Sequence, residues 1–157
     1  MPSLARPVTP HPAKELALVS IRHVTNTRIV LHPFEDLVFV GGGLGAAARH
    51  LVNLGAARLF GLSFPWGTLG VNVFGSLAMG LLAAWLAARY EGGGQGLRLF
   101  LATGILGGFT TFSAFSLDAV ALWERGAYGA AAAYVAASVF FSIAALVVGL
   151  AFGRAWG

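Results

Sequence analysis

The chain contains no cysteine, which excludes a disulfide framework, a thiolate metal site and a thiol nucleophile. Charge is nearly as scarce: 10 basic and 6 acidic residues among 157, against 57% hydrophobic residues and a mean hydropathy of +0.78. So little polar surface excludes a water-soluble domain of this size and puts the chain in a lipid bilayer. Four of the basic residues, Arg6, Lys14, Arg22 and Arg28, fall near the N-terminus, so the formal charge of +4 describes one end of the chain and no nucleic-acid surface. Acid is missing altogether between Asp36 and Glu91. That gap removes the ribose-binding carboxylate expected about 20 residues after the dinucleotide-like run Gly43-Leu44-Gly45-Ala46-Ala47-Ala48. No serine, histidine and acid set, and no pair of carboxylates on one helix face, points to an enzyme.

Residues 1–36 differ in composition from the rest of the chain, with five of the six prolines and three of the four histidines. Their one apolar run, Leu16 to Ile21, stops at Arg22 and is too short for a signal-peptide core or a span. The segment is read as a polar extension, disordered or lying ahead of the native start of translation. Residues 37–157 form the membrane domain. Hydropathy divides it into four spans, at 37–54, 66–88, 97–123 and 127–152, each at or near the length of about 20 residues that crosses hydrocarbon. Arg58 with Pro65, then Arg89 to Gly94, then Glu124-Arg125-Gly126 punctuate them, and Trp66, Trp123 and Trp156 stand at span ends as interfacial anchors. With both termini on one side, Arg89, Arg98 and Arg154 face Arg58 and Arg125 across the membrane, almost no positive-inside bias. A helical protein so balanced can insert both ways round and pair as an antiparallel dimer, although the basic extension favours one side. Gly41, Gly45, Gly70, Gly80, Gly104 and Gly108 offer small faces for close helix packing.

Polar groups inside such spans are expensive and mark function by default. Arg49, near the end of the first span, carries a charge it cannot lose, and either snorkels to the interface or draws anions into a vestibule. His50 has no partner at ligand spacing. Thr68 and Asn72, four apart, share a face of the second span. Asn72 serves there as interhelical glue or as an amide donor that replaces water around a dehydrated anion. Tyr134, Ser138 and Ser142 repeat that stripe at i, i+4 and i+8 in a span without a charged residue. The densest polar run is Gly107-Gly108-Phe109-Thr110-Thr111-Phe112-Ser113-Ala114-Phe115-Ser116-Leu117-Asp118. Gly107 and Gly108 permit a helix break, whose freed carbonyls bind a cation if they face protein instead of lipid. Thr110, Thr111 and Ser113 supplement an opened backbone. Phe112 and Phe115 either pack or turn their ring edges, the positive end of the aromatic quadrupole, toward a small anion.

Together, the run from Gly42 to Arg49, the pattern Gly67-Thr68 with Asn72 and Gly75, and the run from Gly107 to Asp118 resemble the Fluc (CrcB-type) fluoride channels of microbes. The likeness extends over residues 40–153. It implies an all-α membrane protein of four transmembrane helices, the third broken near its middle, assembled in the bacterial plasma or inner membrane as an antiparallel, dual-topology homodimer. It further implies two fluoride pores and a central structural sodium ion (Na+), held by the backbone carbonyls of Gly107 and Thr110 of both subunits. By the same resemblance Phe112, Phe115, Asn72, Thr68, Tyr134, Ser138 and Ser142 line the fluoride pore, Arg49 serves the anion vestibule, and Thr111, Ser113 and Asp118 are pore-associated candidates. The chain departs from the family at Ala114, where threonine is usual, and at Asp118, where glutamate is usual. A proton-coupled exporter of similar size needs a membrane-embedded carboxylate for exchange; here the first span holds Arg49 and no acid.

Overall fold

The computed structural model describes residues 34–90 and 94–156, and every regular element among them is helical. The expected N-terminal extension lies outside the described residues as far as residue 33. Helix α1 (Glu35–Phe60) opens with Glu35 and Asp36, whose charges suit the positive end of a helix dipole. It runs past the expected end at residue 54 because Ala56, Ala57, Arg58 and Leu59 favour helix strongly enough to carry it through Gly55, and no proline follows until Pro65. Hydropathy marks the hydrocarbon thickness, whereas the helix continues beyond it. Helix α2 (Trp66–Arg89) starts immediately after Pro65.

The third span, Gln95–Glu124, is composite. A single α-turn, α3 (Gln95–Arg98), leads into a π-helical run, Leu99–Leu106, and a short α4 (Gly107–Phe109). Thr110 and Thr111 then adopt extended dihedrals before α5 (Phe112–Glu124). The turn to the last helix, α6 (Tyr128–Trp156), passes through Gly126 at φ +75°, a conformation open mainly to glycine. Four helices among the described residues are long and apolar enough to cross a membrane.

In lipid, hydrophobicity does not pull helices together, so close packing of small residues must. Helix α2 lies along α6, and α1 lies against the π-helical run and α4. At Gly80 an added methyl group would meet the Leu146 carbonyl, and at Gly149 the Leu77 carbonyl, so these two helices touch backbone to backbone. Gly45 faces the Ile105 carbonyl and Gly108 the Gly42 carbonyl in the same way, while a methyl at Gly41 would stand 2.7 Å from the Phe100 oxygen. Gly70, expected in the same role, faces open space instead. The buried cluster is small, Phe115, Leu122, Ala131 and Tyr134. Phe39, Leu59, Phe74 and Phe140 point outward, an arrangement costly in water and neutral in lipid.

Candidate functional site

The extended pair Thr110–Thr111 redirects a set of backbone hydrogen bonds. In a continuous α-helix the Thr111 N–H would bond the Gly107 carbonyl and the Ala114 N–H would bond the Thr110 carbonyl. Instead the Thr111 N–H donates to Asn72 Oδ1 at 2.9 Å, and the Ala114 N–H donates to Thr111 Oγ1 at 3.2 Å, which caps α5. The usual helical donors to the Gly107 and Thr110 carbonyl oxygens are therefore diverted. Asn72 also donates from Nδ2 to the Thr111 carbonyl at 3.2 Å, so its amide bonds the backbone of one residue at both its N–H and its C=O, across two consecutive peptide units. One of its two amide protons remains for another acceptor. Thr110 returns its hydroxyl to the Leu106 carbonyl at 2.9 Å, and the hydroxyls of Thr111 and Ser113 are 3.2 Å apart.

Beside this segment lies a half-open cavity of about 390 Å³ between α2, α5 and α6. Asn72, Thr110, Thr111, Phe112, Phe115, Ser138 and Ser142 all contribute to its wall. The hydroxyls of Ser138 and Ser142 are buried without a hydrogen-bond partner. Serines in apolar helices ordinarily fold back onto a carbonyl one turn earlier, as Ser116 does onto Phe112 at 2.9 Å. Both residues line the cavity, and a buried hydroxyl left without a partner has a hydrogen bond still to give to a ligand or to water. Phe115 is 9% exposed whereas Phe112 is 77% exposed, with ring centroids 5.4 Å apart, so the phenylalanine pair runs from the interior to the outer face of the chain.

A second cavity, of about 440 Å³, lies among α1, α2 and α5 and the turn before α2. Thr68 and Asp118 line it. Tyr134, fully buried, stands between the two spaces: its ring packs on Phe115 of the first at 5.4 Å and on Phe64 of the second at 5.6 Å. Its hydroxyl donates to Asp118 Oδ2 at 3.3 Å.

The residues expected at one pore thus divide between two cavities, and Tyr134, packed between Phe115 and Phe64, lines neither. Thr68 and Asp118 belong to the second, Ser113 and Gly107 are exposed beside the first, and half-buried Arg49 lines neither. Three polar residues that the sequence reading missed also face these cavities. Ser76 lines the first, and Asn53 and Arg125 line the second. Ser76 continues the stripe of Thr68 and Asn72 at the same interval of four, so its signal was present. Asn53 stands four residues after Arg49 on α1, yet only tertiary packing shows which space it faces.

Four spanning helices, with hydroxyl- and amide-bearing residues along two cavities and large apolar side chains outward, define a multi-pass membrane protein. Residues 37–150 match the family model described as CrcB-like protein, Camphor Resistance (CrcB), and the chain belongs to that family. It is 59% identical over 118 residues to a protein of Mesorhizobium japonicum named Fluoride-specific ion channel FluC, covering 75% of this chain and 94% of the relative. Proteins of the same name from Rhodopseudomonas palustris and Methylobacterium nodulans are 58% identical over 119 residues and 61% identical over 121. These alignments cover 76% of the chain and 95% of the first relative, and 77% and 96% for the second. The family's named relatives are channels and not enzymes, and the chain is a multi-pass bacterial membrane protein.

Proposed function

We propose that the chain is a fluoride-selective ion channel through which cytoplasmic fluoride leaves the cell passively. The observation that carries this reading is the pair of buried, unpartnered hydroxyls of Ser138 and Ser142 in a cavity shared with the Asn72 amide and the Phe112–Phe115 rings. Fluoride is small and strongly hydrated, and it enters a narrow path only where donors replace its water. Ser138, Ser142 and the remaining Asn72 N–H are such donors, and aromatic edges add weaker positive potential. Larger chloride finds too few contacts to offset dehydration. Asp118, holding the Tyr134 hydroxyl, fixes the phenol that separates the chambers.

The working unit is an antiparallel, dual-topology homodimer with two pores. Support comes from the cavity's open side and from the outward Phe112, which a second copy would cover and turn into a pore wall. The carbonyls of Gly107 and Thr110, left without their helical donors, suit a hard monovalent cation, which prefers oxygen ligands. In both copies these carbonyls would hold sodium, and the ion would supply a fixed positive charge between the subunits. This chain's own part is to keep those carbonyls free, which Asn72 and the Thr111 hydroxyl do by taking the competing N–H groups.

Purified protein in liposomes releases fluoride and not chloride, read by ion-selective electrodes, without any proton gradient. Equal release of both anions, or a requirement for a proton gradient, overturns the assignment. Phe115→Ile and Phe112→Ile reduce fluoride release sharply; unchanged release makes both rings packing residues only.

A further inference from the structure

The second cavity contains a polar group that the pore reading does not use. Asn53 lines this chamber from α1. Its Oδ1 is buried without a hydrogen-bond partner and lies against Gly67, where an added methyl group would collide with it. A carbonyl oxygen gains from a Cα–H neighbour in a way that an amide NH₂ does not. The Gly67 contact therefore fixes the amide with its acceptor toward α2 and leaves the donor end, Nδ2, as the polar atom for the cavity. The absence of a Cβ at Gly67 is what lets α1 bring Asn53 this close. The other charged and polar lining groups are Thr68, Asp118 and Arg125.

An isolated Asp118 carboxylate would repel an anion from this chamber. Arg125 follows it by seven residues, two helical turns along the same face, and lines the same cavity, so the chamber's formal charge returns to zero. The guanidinium is held at the end of α5 by Nε donating to the Ala121 carbonyl at 3.2 Å and Nη2 to the Ser63 carbonyl at 3.5 Å. We infer that this second cavity is an entry site for a small anion, in which Asn53 Nδ2 donates a hydrogen bond and Arg125 supplies the attracting charge at the mouth. The inference rests on the fluoride reading and extends it: the anion meets an amide donor before Tyr134 as well as after it, at Asn72. Arg125 lines this cavity and Arg49 does not, so the charge at this mouth is that of Arg125.

Single-channel recording in planar bilayers tests this, since it reads only inserted, assembled channels. Asn53→Leu and the nearly isosteric Asn53→Asp each lower the unitary fluoride current by about tenfold or more, the loss expected when one hydrogen bond to a permeating anion disappears. Asn53→Ser, which keeps a donor, retains more current than Asn53→Leu. Arg125→Gln lowers the current at an ionic strength of about 0.01 M and not at about 1 M, where the screening length falls from about 30 Å to about 3 Å. Unitary currents equal to wild type in Asn53→Asp and Asn53→Leu overturn the donor role and leave Asn53 as a packing partner of Gly67. A wild-type protein without fluoride current overturns the channel reading itself, an outcome distinct from a conducting wild type whose variants conduct equally.

Discussion

Replacing Ser138 and Ser142 with alanine separates a functional hydroxyl from a structural one, because the two roles predict opposite changes in stability. Both Oγ atoms are buried and unpartnered. A buried polar group without a partner costs about 1–3 kcal/mol. Had each hydroxyl bonded another helix, its removal would cost about 0.6 kcal/mol, the average for such bonds in a membrane protein. The double variant Ser138→Ala/Ser142→Ala is therefore expected to gain up to about 2–6 kcal/mol, the gain falling toward zero to the extent that water in the 390 Å³ cavity bonds the hydroxyls. Fluoride release moves the other way. A hydrogen bond to a charged group contributes about 1.5–3 kcal/mol, so losing one donor to a dehydrated anion slows passage about tenfold or more. Unfolding titrations in sodium dodecyl sulfate, followed by the emission of Trp66, Trp85, Trp123 and Trp156, measure the first quantity, and liposome efflux measures the second. A clear loss of stability, or unchanged efflux, refutes the reasoning.

Asn72→Leu removes both hydrogen bonds to the Thr111 backbone and destabilises the protein by about 2–4 kcal/mol in the same titration, whereas Asn72→Asp, which keeps the acceptor for the Thr111 N–H, loses about half as much. Gly80→Ala forces α2 and α6 apart at a backbone contact and costs about 1–3 kcal/mol, while Gly70→Ala, facing open space, stays within about 0.5 kcal/mol. Exchanging sodium for a bulky organic cation lowers stability, by about 1.4 kcal/mol for each tenfold fall in sodium above its dissociation constant; stability independent of sodium removes the ion from the proposal.

The helical class and the number of spans were legible because they depend on summed apolar length, which survives any rearrangement of side chains. Their ends were less legible: α1 overran its apolar stretch by six residues, since helix propensity and hydropathy diverge at Ala56 to Leu59. Gly70 looked like Gly80 in sequence, and only the position of the neighbouring helix distinguishes them. Asn72 illustrates the same limit within the site. Its amide was readable either as glue or as an anion donor, and the Thr111 N–H and carbonyl occupy its oxygen and one of its protons, leaving one proton for the cavity.

The polar run from Gly107 to Asp118 could be identified from sequence as the chain's unusual segment because hydroxyls and paired glycines at membrane depth conflict with a plain spanning helix. Sequence by itself determined that the chain lives in lipid, that its third span is the chemically loaded one, and which family motif it carries. Tertiary structure decided which hydrogen bonds that segment makes. The Thr111 N–H leaves its own helix because Asn72, 39 residues away in the chain, presents an oxygen 2.9 Å from it. It also decided that the polar residues divide between two cavities, with Tyr134 packed between Phe115 of the first and Phe64 of the second, and with Asn53 and Arg125 lining the second. Periodicity tells which residues share a face of one helix; what that face meets depends on how closely glycines let the other helices approach.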